Sequence, residues 1–312
     1  MTKQQGPGAK VAVVGSINLD QVVRLARHPL PGETLLGSSI TLLPGGKGAN
    51  QALAAARCGA TVSLIGAVGN DPNAVLATAL LETSGMDLDA VRIVDGPTGV
   101  AVICVADGGE NTIVVIPGAN SSVDAGAVER AAARIAEAAV VVVQGEIPAD
   151  GIAAAAKLAT GRVLLNLAPV IDVDVAVIRT ADPLVVNEHE GALVLAQLDP
   201  SPSAPVPADD EALVASLRAQ GIPSVVLTRG ADGAICSDDD GTHLVPAPKV
   251  QAVDTSGAGD AFVGALSTQL AAGASLLEAS RFAARVGAFA VQGHGTQPSY
   301  PTLTDALPEV NA

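Results

Sequence analysis

Short runs of aliphatic and β-branched residues alternate with alanine-rich stretches along the chain. The apolar runs lie at 11–15, 61–69, 140–144, 162–167, 184–187 and 224–228. Nearly continuous apolar character is typical of strands that helices cover on both faces. Helical stretches are predicted at 48–58, 72–84, 124–138, 149–160, 188–198 and 209–220. The pattern therefore predicts an α/β fold with a doubly wound, mostly parallel sheet flanked by helices.

Two segments break this alternation. Residues 21–26 with 34–43, and 98–107 with 111–118, resemble paired strands without a helix between them, and Asp107-Gly108-Gly109 is a hairpin turn signal. Four such strands predict a small antiparallel β-sheet lid. The lid is assigned to 17–44 and 97–118, and the core to 1–16, 45–96 and 119–312. An edge extension of the main sheet is the alternative, and the pattern favours neither.

Glycine-bearing turns are concentrated in the last third of the chain. Two long helices are predicted there, at 258–272 and 276–291. Residues 200–209 are rich in proline and serine, and they predict a solvated loop that is too short to separate domains. The chemistry of the protein is therefore expected in the region from 254 onward.

Composition and charge exclude several classes of function. The chain has 312 residues, of which 49% are hydrophobic, and its formal net charge is −15. Such a chain is repelled by nucleic-acid phosphates and anionic membranes, and no apolar run reaches the roughly 18 residues of a membrane span. We expect a soluble, cytoplasmic protein without nucleic-acid or membrane partners, which holds any anionic ligand by local geometry.

The segment from Asp254 to Asp260 predicts an anion site. Its small residues, among them Gly257, Ala258 and Gly259, precede an alanine-rich helix and would expose backbone N–H groups at the helix N-terminus. A carboxylate beside a phosphate site is costly unless it takes a proton, which makes Asp260 a candidate general base. Alternatively, Asp260 only complements the helix dipole and the glycines only permit close packing.

Polar residues also follow other predicted strands. Asn18 and Asp20 follow the first strand, where open α/β sheets bind ligands, and Asn50 follows the glycine-rich segment 45–48. Together these residues suggest a pocket for a polyol, although each alone would fit an ordinary turn. Glu146 follows a later strand and is a candidate acceptor for a sugar hydroxyl.

Asn187 and Glu190 follow another strand and have the spacing of a helix capping box. The same pair would suit Asn187 near phosphates and Glu190 organising water around Mg²⁺, and the two interpretations are compatible. Residues 228–233 end the next strand and are candidates to flank a nucleotide. The standard dinucleotide and P-loop signatures are not matched, because Phe262 and Gly48 occupy required positions.

These motifs, in this order and nearly end to end, resemble the ribokinase family of sugar kinases of the phosphofructokinase-B type. The segments that carry the resemblance are GSINLD at 15–20, PGET at 31–34, GGKGANQA at 45–52, NxxE at 187–190, TRGADG at 228–233, VDTSGAGDAF at 253–262 and GTQPS at 295–299. The resemblance implies transfer of the γ-phosphoryl group of ATP to the 5-hydroxyl of D-ribose. It also implies a homodimer formed through the lid.

By matching positions, the resemblance assigns a role to each motif residue. Asp260 would be the base, with the amides of Gly257, Ala258 and Gly259 as the anion hole. The sugar would be bound by Asn18, Asp20, Gly46, Lys47, Asn50, Glu146 and Asp260. The nucleotide with its Mg²⁺ would be bound by Asn187, Glu190, Thr228, Gly230, Gly233 and Gly259. A K⁺ ion that orders the anion-hole loop would be held by Asp254, Ser256, Ala290, Gly293, Gly295 and Ser299.

Two departures and two alternatives accompany the resemblance. Ala284 stands where a polar side chain near the adenine is expected, and Gly293-His294 replaces a more basic stretch. A kinase of the same family that acts on deoxyribose, fructose or a nucleoside such as adenosine is one alternative. The other is a sensor that binds a sugar or nucleotide without catalysis, although the intact motifs argue against it.

Overall fold

The computed structural model describes residues 9–199, 207 and 209–310. Within these residues, nine strands form one sheet in the order β13-β12-β11-β10-β9-β8-β1-β4-β5. In chain order they are β1 Lys10–Val14, β4 Thr61–Gly69, β5 Val91–Val94, β8 Val140–Gln144, β9 Arg162–Asn166, β10 Ala181–Asn187, β11 Val225–Thr228, β12 Ala234–Asp238 and β13 Gly241–Val245. All neighbours pair in parallel except β11–β12 and β12–β13.

Four further strands in the described residues form a separate sheet in the order β3-β2-β6-β7, so this sheet is not an edge extension of the large one. They are β2 Asn18–Leu25, β3 Ser39–Gly45, β6 Gly99–Ala106 and β7 Asn111–Ile116. The predicted hairpin turn joins β6 to β7, with the backbone N of Gly109 donating to the oxygen of Ala106 at 2.9 Å. The covering role of this sheet stays a prediction.

The expectation of a wholly antiparallel small sheet is wrong at its centre. The pairs β2–β3 and β6–β7 are antiparallel, but β2 and β6 are parallel. The reason lies in the chain path. The strand β2 follows β1, whereas β6 follows β5, and β1 and β5 run in the same direction in the large sheet.

The helices follow the predicted alternation. Those in the described residues are α1 Lys47–Arg57, α2 Pro72–Glu82, α3 Ala125–Glu129, α4 Ala132–Ala136, α5 Ala149–Leu158, α6 Val175–Ile178, α7 Glu188–Leu198, α8 Asp210–Ala219, α9 Ala258–Ala271 and α10 Leu276–Ala290. The single helix predicted over 124–138 is wrong, because the backbone N of Ala131 donates to the oxygen of Val128 in a tighter turn that separates α3 from α4. None of these helices is long and apolar enough to cross a membrane.

The large sheet has a hydrophobic core on each face. In β1, Val11 and Val13 pack into the core beneath α1, α9 and α10, whereas Ala12 and Val14 pack into the opposite core beneath α3, α5, α7 and α8. All four side chains are at most 1% exposed. Burial on both faces explains why this strand reads as a continuous apolar run, and it confirms the predicted doubly wound α/β fold.

The sequence pattern missed three strands of the large sheet. The strands β12 and β13 form an antiparallel pair at one edge, and β5 lies at the other edge. The edge strands β5 and β13 have exposed residues and so lack the apolar runs that marked the central strands. The strand β12 is buried on both faces, but its apolar run is only three residues long, Ala234 to Cys236. In the small sheet β3 begins at Ser39 rather than at 34. The loop predicted at 200–209 lies outside the described residues, apart from 207 and 209.

Candidate active site

Asp260 lies in the first turn of α9, and its side chain is buried. The helix begins after Gly257, whose backbone is left-handed with a φ of 72°. A Cβ at this position would collide with Thr296 Cγ2, so glycine satisfies both the conformation and the space. The first amides of a helix have no acceptor within it, so the turn formed by Gly257, Ala258 and Gly259 offers N–H donors to an anion.

Two side-chain amides from α1 hold the Asp260 carboxylate. Asn50 Nδ2 donates to Oδ2 at 2.9 Å, and Gln51 Nε2 donates to Oδ1 at 2.8 Å. Close packing of α1 against α9 makes these bonds possible, because a Cβ at Gly264 would lie only 2.5 Å from the backbone oxygen of Gln51. Asp260 is therefore fixed in a buried position with a donor on each oxygen.

Asn18 and Asp20 are buried at the start of β2. Asn18 Oδ1 accepts a hydrogen bond from Asn120 Nδ2 at 2.7 Å, and Asn120 Oδ1 accepts one from the backbone N of Ile17 at 2.9 Å. A Cβ at Gly45 of β3 would collide with the Asp20 carboxylate, so this glycine leaves room for it. The motifs predicted Asn18 and Asp20 but not Asn120, which belongs to none of the segments that carry the resemblance and follows an exposed strand.

Glu146 follows β8 and lies at the same end of the sheet. Its Oε2 accepts from Ser16 Oγ at 2.6 Å and from the backbone N of Lys47 at 3.2 Å. Burial and the neighbouring carboxylates of Glu146 and Asp260 raise the pKa of Asp20 to about 7, and the Lys47 ammonium opposes them only in part. Three carboxyl groups thus share one buried region, which suits a ligand that brings hydroxyl donors.

Lys47 brings positive charge into this region. Burial alone would lower the pKa of its ammonium group, but the carboxylates of Asp260, Glu146, Glu190 and Asp20 outweigh burial and raise that pKa. Lys47 is therefore charged at neutral pH. A lysine held among carboxylates offers a donor to a sugar hydroxyl or to a phosphate oxygen.

Two cavities adjoin at the N-terminus of α9. The larger has a volume of about 460 Å³ and the smaller about 180 Å³, and both are lined by Thr228 and Gly259. The larger cavity is also lined by the predicted nucleotide residues Gly230 and Gly233. The smaller is also lined by Lys47, Asn187, Glu190, Gly257 and Asp260. Asp260 therefore lines the cavity that adjoins the space predicted for the nucleotide.

The remaining predicted sugar residues line neither cavity, namely Asn18, Asp20, Gly46, Asn50 and Glu146. Each is nevertheless joined to the same region. Asn50 binds Asp260, Glu146 binds the backbone of Lys47, and Asp20 is close enough to both carboxylates for its pKa to respond. A Cβ at Gly46 would lie 2.7 Å from the backbone N of Asn18, so α1 begins directly against β2.

Asn187 and Glu190 form the predicted capping box at the start of α7. Asn187 Oδ1 accepts from the backbone N of Glu190 at 2.8 Å, and Glu190 Oε2 accepts from the backbone N of Asn187 at 2.9 Å. Both residues also line the smaller cavity. Capping and exposure to this cavity thus occur together, as the sequence suggested.

The residues predicted to hold a monovalent cation lie on two adjoining segments. Asp254 Oδ1 accepts from the backbone N of Ser256 at 2.9 Å, and Oδ2 accepts from that of Gly295 at 3.0 Å. Although burial opposes ionisation, these amides hold the pKa of Asp254 below its ordinary value. The backbone N of Gly293 donates to the oxygen of Ala290 at 3.2 Å, and a Cβ at Gly293 would lie 2.9 Å from Ser299 Cβ.

The lining of the larger cavity is mostly apolar. Ala284, Gly287, Ala288 and Phe262 contribute to it, and Lys249 is the one charged residue among the described residues that line it. Ala284 lines the cavity predicted to hold the nucleotide, and its proximity to a nucleotide base stays a prediction. An alanine there has no polar group with which to recognise the base.

Comparison with known proteins identifies a family. A family model described as pfkB family carbohydrate kinase matches residues 9–303. A ribokinase of Schizosaccharomyces pombe is 38% identical over 307 residues, which cover 95% of this chain and 96% of that protein. The crystal structure of a ribokinase from Thermotoga maritima matches with a TM-score of 0.84 and 30% identity, over 94% of this chain and 96% of the other.

A third relative was solved with ligands. The structure of Arabidopsis thaliana ribokinase complexed with ribose and ATP matches with a TM-score of 0.81 and 30% identity, over 94% of this chain and 95% of that one. The family match spans nearly all the described residues, including both sheets and the two cavities. These matches confirm the predicted resemblance, and the chain belongs to the pfkB family of carbohydrate kinases.

Proposed function

We propose that this chain transfers the γ-phosphoryl group of ATP to the 5-hydroxyl of D-ribose and releases ADP and D-ribose 5-phosphate. The observation that carries the proposal is the position of Asp260. Asp260 lines the smaller cavity, which adjoins the candidate nucleotide cavity at Thr228 and Gly259, and its carboxylate accepts a hydrogen bond from the candidate sugar residue Asn50. A base between a sugar and a phosphate has the placement that phosphoryl transfer requires.

In the proposed reaction, Asp260 accepts the proton of the 5-hydroxyl as the sugar oxygen attacks the γ-phosphorus. The bond between this phosphorus and the bridging oxygen of ADP breaks, and the negative charge on the moving group is stabilised by the amides of Gly257, Ala258 and Gly259. Lys47 adds a positive charge at the same cavity. The proton ends on Asp260 and the phosphoryl group on the sugar.

The residues proposed to bind ribose supply complementary donors and acceptors. Asn18, Asp20 and Glu146 offer side-chain oxygens to sugar hydroxyls, and Lys47 and Asn50 offer donors. Gly46 has no side chain, so the sugar can approach the backbone closely there, and its φ of 88° is a conformation that favours glycine. Because these groups are largely buried, a sugar hydroxyl that fails to pair with them would leave a buried polar atom without a partner.

The residues also fit the nucleotide and its magnesium ion. Asn187, Thr228, Gly230, Gly233 and Gly259 line the two adjoining cavities, as expected of residues that bind ATP. Glu190 has one carboxylate oxygen in the capping box, and its second oxygen is the hard ligand type that hydrated Mg²⁺ prefers. Bound Mg²⁺ would neutralise phosphate charge, and Glu190 would orient its water ligands.

A potassium ion fits the paired segments at 254–256 and 290–299. Their donor set combines one carboxylate, on Asp254, with uncharged carbonyl and hydroxyl oxygens, and this low charge count suits a monovalent cation. A bound K⁺ would supply a fixed charge that orders these segments. Tyr300, which directly follows the second segment, donates from its hydroxyl to the backbone oxygen of Gly257 at 3.1 Å. Ordering of the second segment would therefore also steady the turn that forms the anion hole.

Activity is therefore expected to depend on K⁺. Replacing K⁺ by tetramethylammonium at constant ionic strength should lower kcat by roughly ten- to a hundredfold, because the amides of the anion hole lose their fixed position. Asp254→Ala should have a low kcat in either salt, since it lacks the carboxylate that accepts hydrogen bonds from both Ser256 and Gly295. Steady-state rates in the two salts test this, and equal wild-type rates would remove the cation from the proposal.

The affinity for ribose is expected to fall on the acid side of neutrality. Asp20 has a pKa raised to about 7, so below this pH it carries a proton and one of its oxygens no longer accepts from a hydroxyl. The KM for ribose should rise about tenfold between about pH 8 and about pH 6, as protonation of one group requires. The charged groups that face Asp20 are Glu146, Asp260 and Lys47.

The pH series has an internal control. Asp20→Asn should show a high KM for ribose that stays constant over the same pH range, because the variant has no carboxyl group at this position. The KM for ATP should be flat in both proteins, since Asp20 does not line the nucleotide cavity. A wild-type KM for ribose that does not change with pH would show that Asp20 does not bind the sugar through its ionised form.

We propose that the small sheet covers the sugar and pairs with the same sheet of a second copy. Its apolar residues support an apolar contact, since Ile40 is 61% exposed and Val114 is 57% exposed. Every residue of β7 is exposed, although four of its six residues are valine or isoleucine, which a monomer would leave in water. We place the enzyme in the cytoplasm, because its three cysteines are free thiols, as is usual in a reducing compartment.

A panel of acceptors tests the proposed function. Wild-type protein is incubated with ATP, Mg²⁺ and K⁺ and with D-ribose, deoxyribose, fructose or adenosine, and ADP formation is followed by a coupled assay. D-Ribose should give the highest kcat/KM. A preference for another acceptor would replace ribose as the substrate, and thermal stabilisation by ribose without any ADP would indicate a sensor.

A further inference from the structure

Gln51 belongs to none of the roles described so far, yet it is completely buried beside Asp260. Its side chain makes three hydrogen bonds to three separate elements. Nε2 donates to Asp260 Oδ1 at 2.8 Å and to Asn166 Oδ1 at 2.9 Å, and Oε1 accepts from Gln144 Nε2 at 2.8 Å. Both amide hydrogens and the carbonyl oxygen of this side chain are therefore in use.

The network also fixes which way the Gln51 amide faces. The backbone oxygen of Val185 can only accept, so it is Asn166 Nδ2 that donates to it, at 2.9 Å. Asn166 therefore turns its oxygen toward Gln51, which in turn must present its NH₂ group. That group has two hydrogens, and the second one reaches Asp260. The backbone oxygen of Val185 thus sets the orientation of the Gln51 amide through Asn166.

Gln144 holds Gln51 from the opposite end. Its Nε2 donates to Gln51, whereas its own Oε1 is buried without a partner. An unpaired buried carbonyl oxygen destabilises the folded protein. The Gln144 amide nevertheless keeps the orientation in which its Nε2 donates to Gln51. Glutamine at 144 and asparagine at 166 both end central strands, β8 and β9, so Gln51 is held by rigid elements rather than by loops.

The two donors to Asp260 are not equivalent. Asn50 is one of the residues proposed to bind ribose, so its amide is required by the sugar as well as by Asp260 Oδ2. Gln51 has no exposed surface, its hydrogen bonds are all used within the protein, and it lines neither cavity. It is therefore the donor to Asp260 that stays the same whether or not a sugar is bound.

We propose that Gln51 is a positioning residue that holds Oδ1 of Asp260, so that Oδ2 is the oxygen that takes the proton of the sugar hydroxyl. The inference rests on the proposed role of Asp260 as the base. A donor on Oδ1 fixes the rotation of the carboxylate. It also stabilises the ionised, proton-accepting form beside other carboxylates. Gln51 acts through Asp260 and does not touch the substrate.

The first test is Gln51→Met, which keeps the length of the side chain and removes its amide. We expect kcat to fall about ten- to a hundredfold, the range for one hydrogen bond to a charged group. The KM for ribose should stay near the wild-type value, because Gln51 does not contact the sugar.

The second test is Gln51→Glu, which is nearly isosteric. A protonated carboxyl group can donate to Asp260 Oδ1 as the amide does, whereas an ionised one repels it. The ratio of variant to wild-type kcat should therefore be highest at acid pH and fall as pH rises. A role in packing alone predicts the same ratio at every pH. The titratable groups that feel the charge of Asp260 are Asp20, Lys47 and Tyr300, and Glu146 acts on Asp20 and Lys47. The Gln51→Glu substitution replaces none of these residues.

Gln197→Met is the matched control, because Gln197 is a partly buried glutamine on α7 whose Nε2 donates to the backbone oxygen of Ile171 at 2.9 Å. It should lose stability without any change in kcat or in the pH profile. ATP binding by each variant, measured by calorimetry, verifies that it is folded. If Gln51→Met keeps wild-type kcat, or if both Gln51 variants lose the same fraction of kcat at every pH, the inference is wrong.

These outcomes are separable from failure of the proposed function. If the wild-type protein uses another sugar of the panel, ribose fails as the substrate, and the Gln51 variants are measured with the accepted sugar. If Asp260→Asn retains activity, the base assignment fails and this inference fails with it. If the wild type and Asp260→Asn behave as expected while the Gln51 profiles match the wild type, only the role of Gln51 is wrong.

Discussion

Asp260→Asn is expected to lower kcat by about 10²- to 10⁴-fold, the usual contribution of a positioned general base. The asparagine has nearly the same shape but cannot take the proton of the sugar hydroxyl. One end of its amide would also face a donor, from Asn50 or Gln51, where the carboxylate accepted from both. Binding of ATP should persist, because the nucleotide cavity reaches Asp260 only through the smaller cavity.

The measurement is kcat with saturating ribose, together with the dissociation constant of ATP from calorimetry. Asp124→Asn provides the control, since Asp124 caps α3 through a bond to the backbone N of Ala127, and asparagine caps a helix equally well. It should leave kcat unchanged. Turnover by Asp260→Asn close to that of the wild type would remove Asp260 from the chemistry.

Gly257→Ala is the second substitution with a large expected effect. The added Cβ would collide with Thr296 Cγ2 and lie 2.8 Å from Tyr300 Oη, so the turn that starts α9 must move away from the segment 293–300. The amides of this turn would then be misplaced relative to the moving phosphoryl group. We expect kcat to fall by about 10²- to 10³-fold, as for loss of one donor to a developing anion.

Gly273→Ala separates collision from backbone strain. Gly273 also has a positive φ, 86°, at the other end of α9, but a Cβ there has no atom within 4 Å. This control should lose about 1–2 kcal/mol of stability from the left-handed conformation and keep its kcat. Equal kcat values for the two alanine variants would show that the turn at 257 does not stabilise the transferred group.

The central strands were predictable because burial on both faces leaves a direct mark on the sequence. The run from Val11 to Val14 is apolar since its side chains alternate between two cores. The parallel pairing of β2 with β6 has no such mark. Its direction depends on where two distant parts of the chain leave the large sheet, which is a tertiary property.

The residues of the candidate site likewise include some that the sequence predicts and some that it does not. Asp260, Asn18 and Asp20 stand in short motifs at strand ends or helix starts, where the type of residue suggests its chemistry. Asn120 became visible only in the structure. Gln51 stands in the segment GGKGANQA at 45–52, but nothing in the sequence assigned it a role, because the importance of both side chains comes from partners far away in the chain. Gln51 meets Asp260 across 209 positions, and Asn120 meets Asn18 across 102. The sequence around a buried amide gives no local signal of such a distant partner.

The most direct measurement is the fate of the phosphoryl group in a reaction that contains only the purified protein, ATP, Mg²⁺, K⁺ and D-ribose, followed by phosphorus NMR. We expect a phosphomonoester signal coupled to the C5 protons of the sugar, formed in step with ADP and absent with Asp260→Asn. ADP and inorganic phosphate without a sugar phosphate, or a phosphate on another carbon, would contradict the proposed reaction.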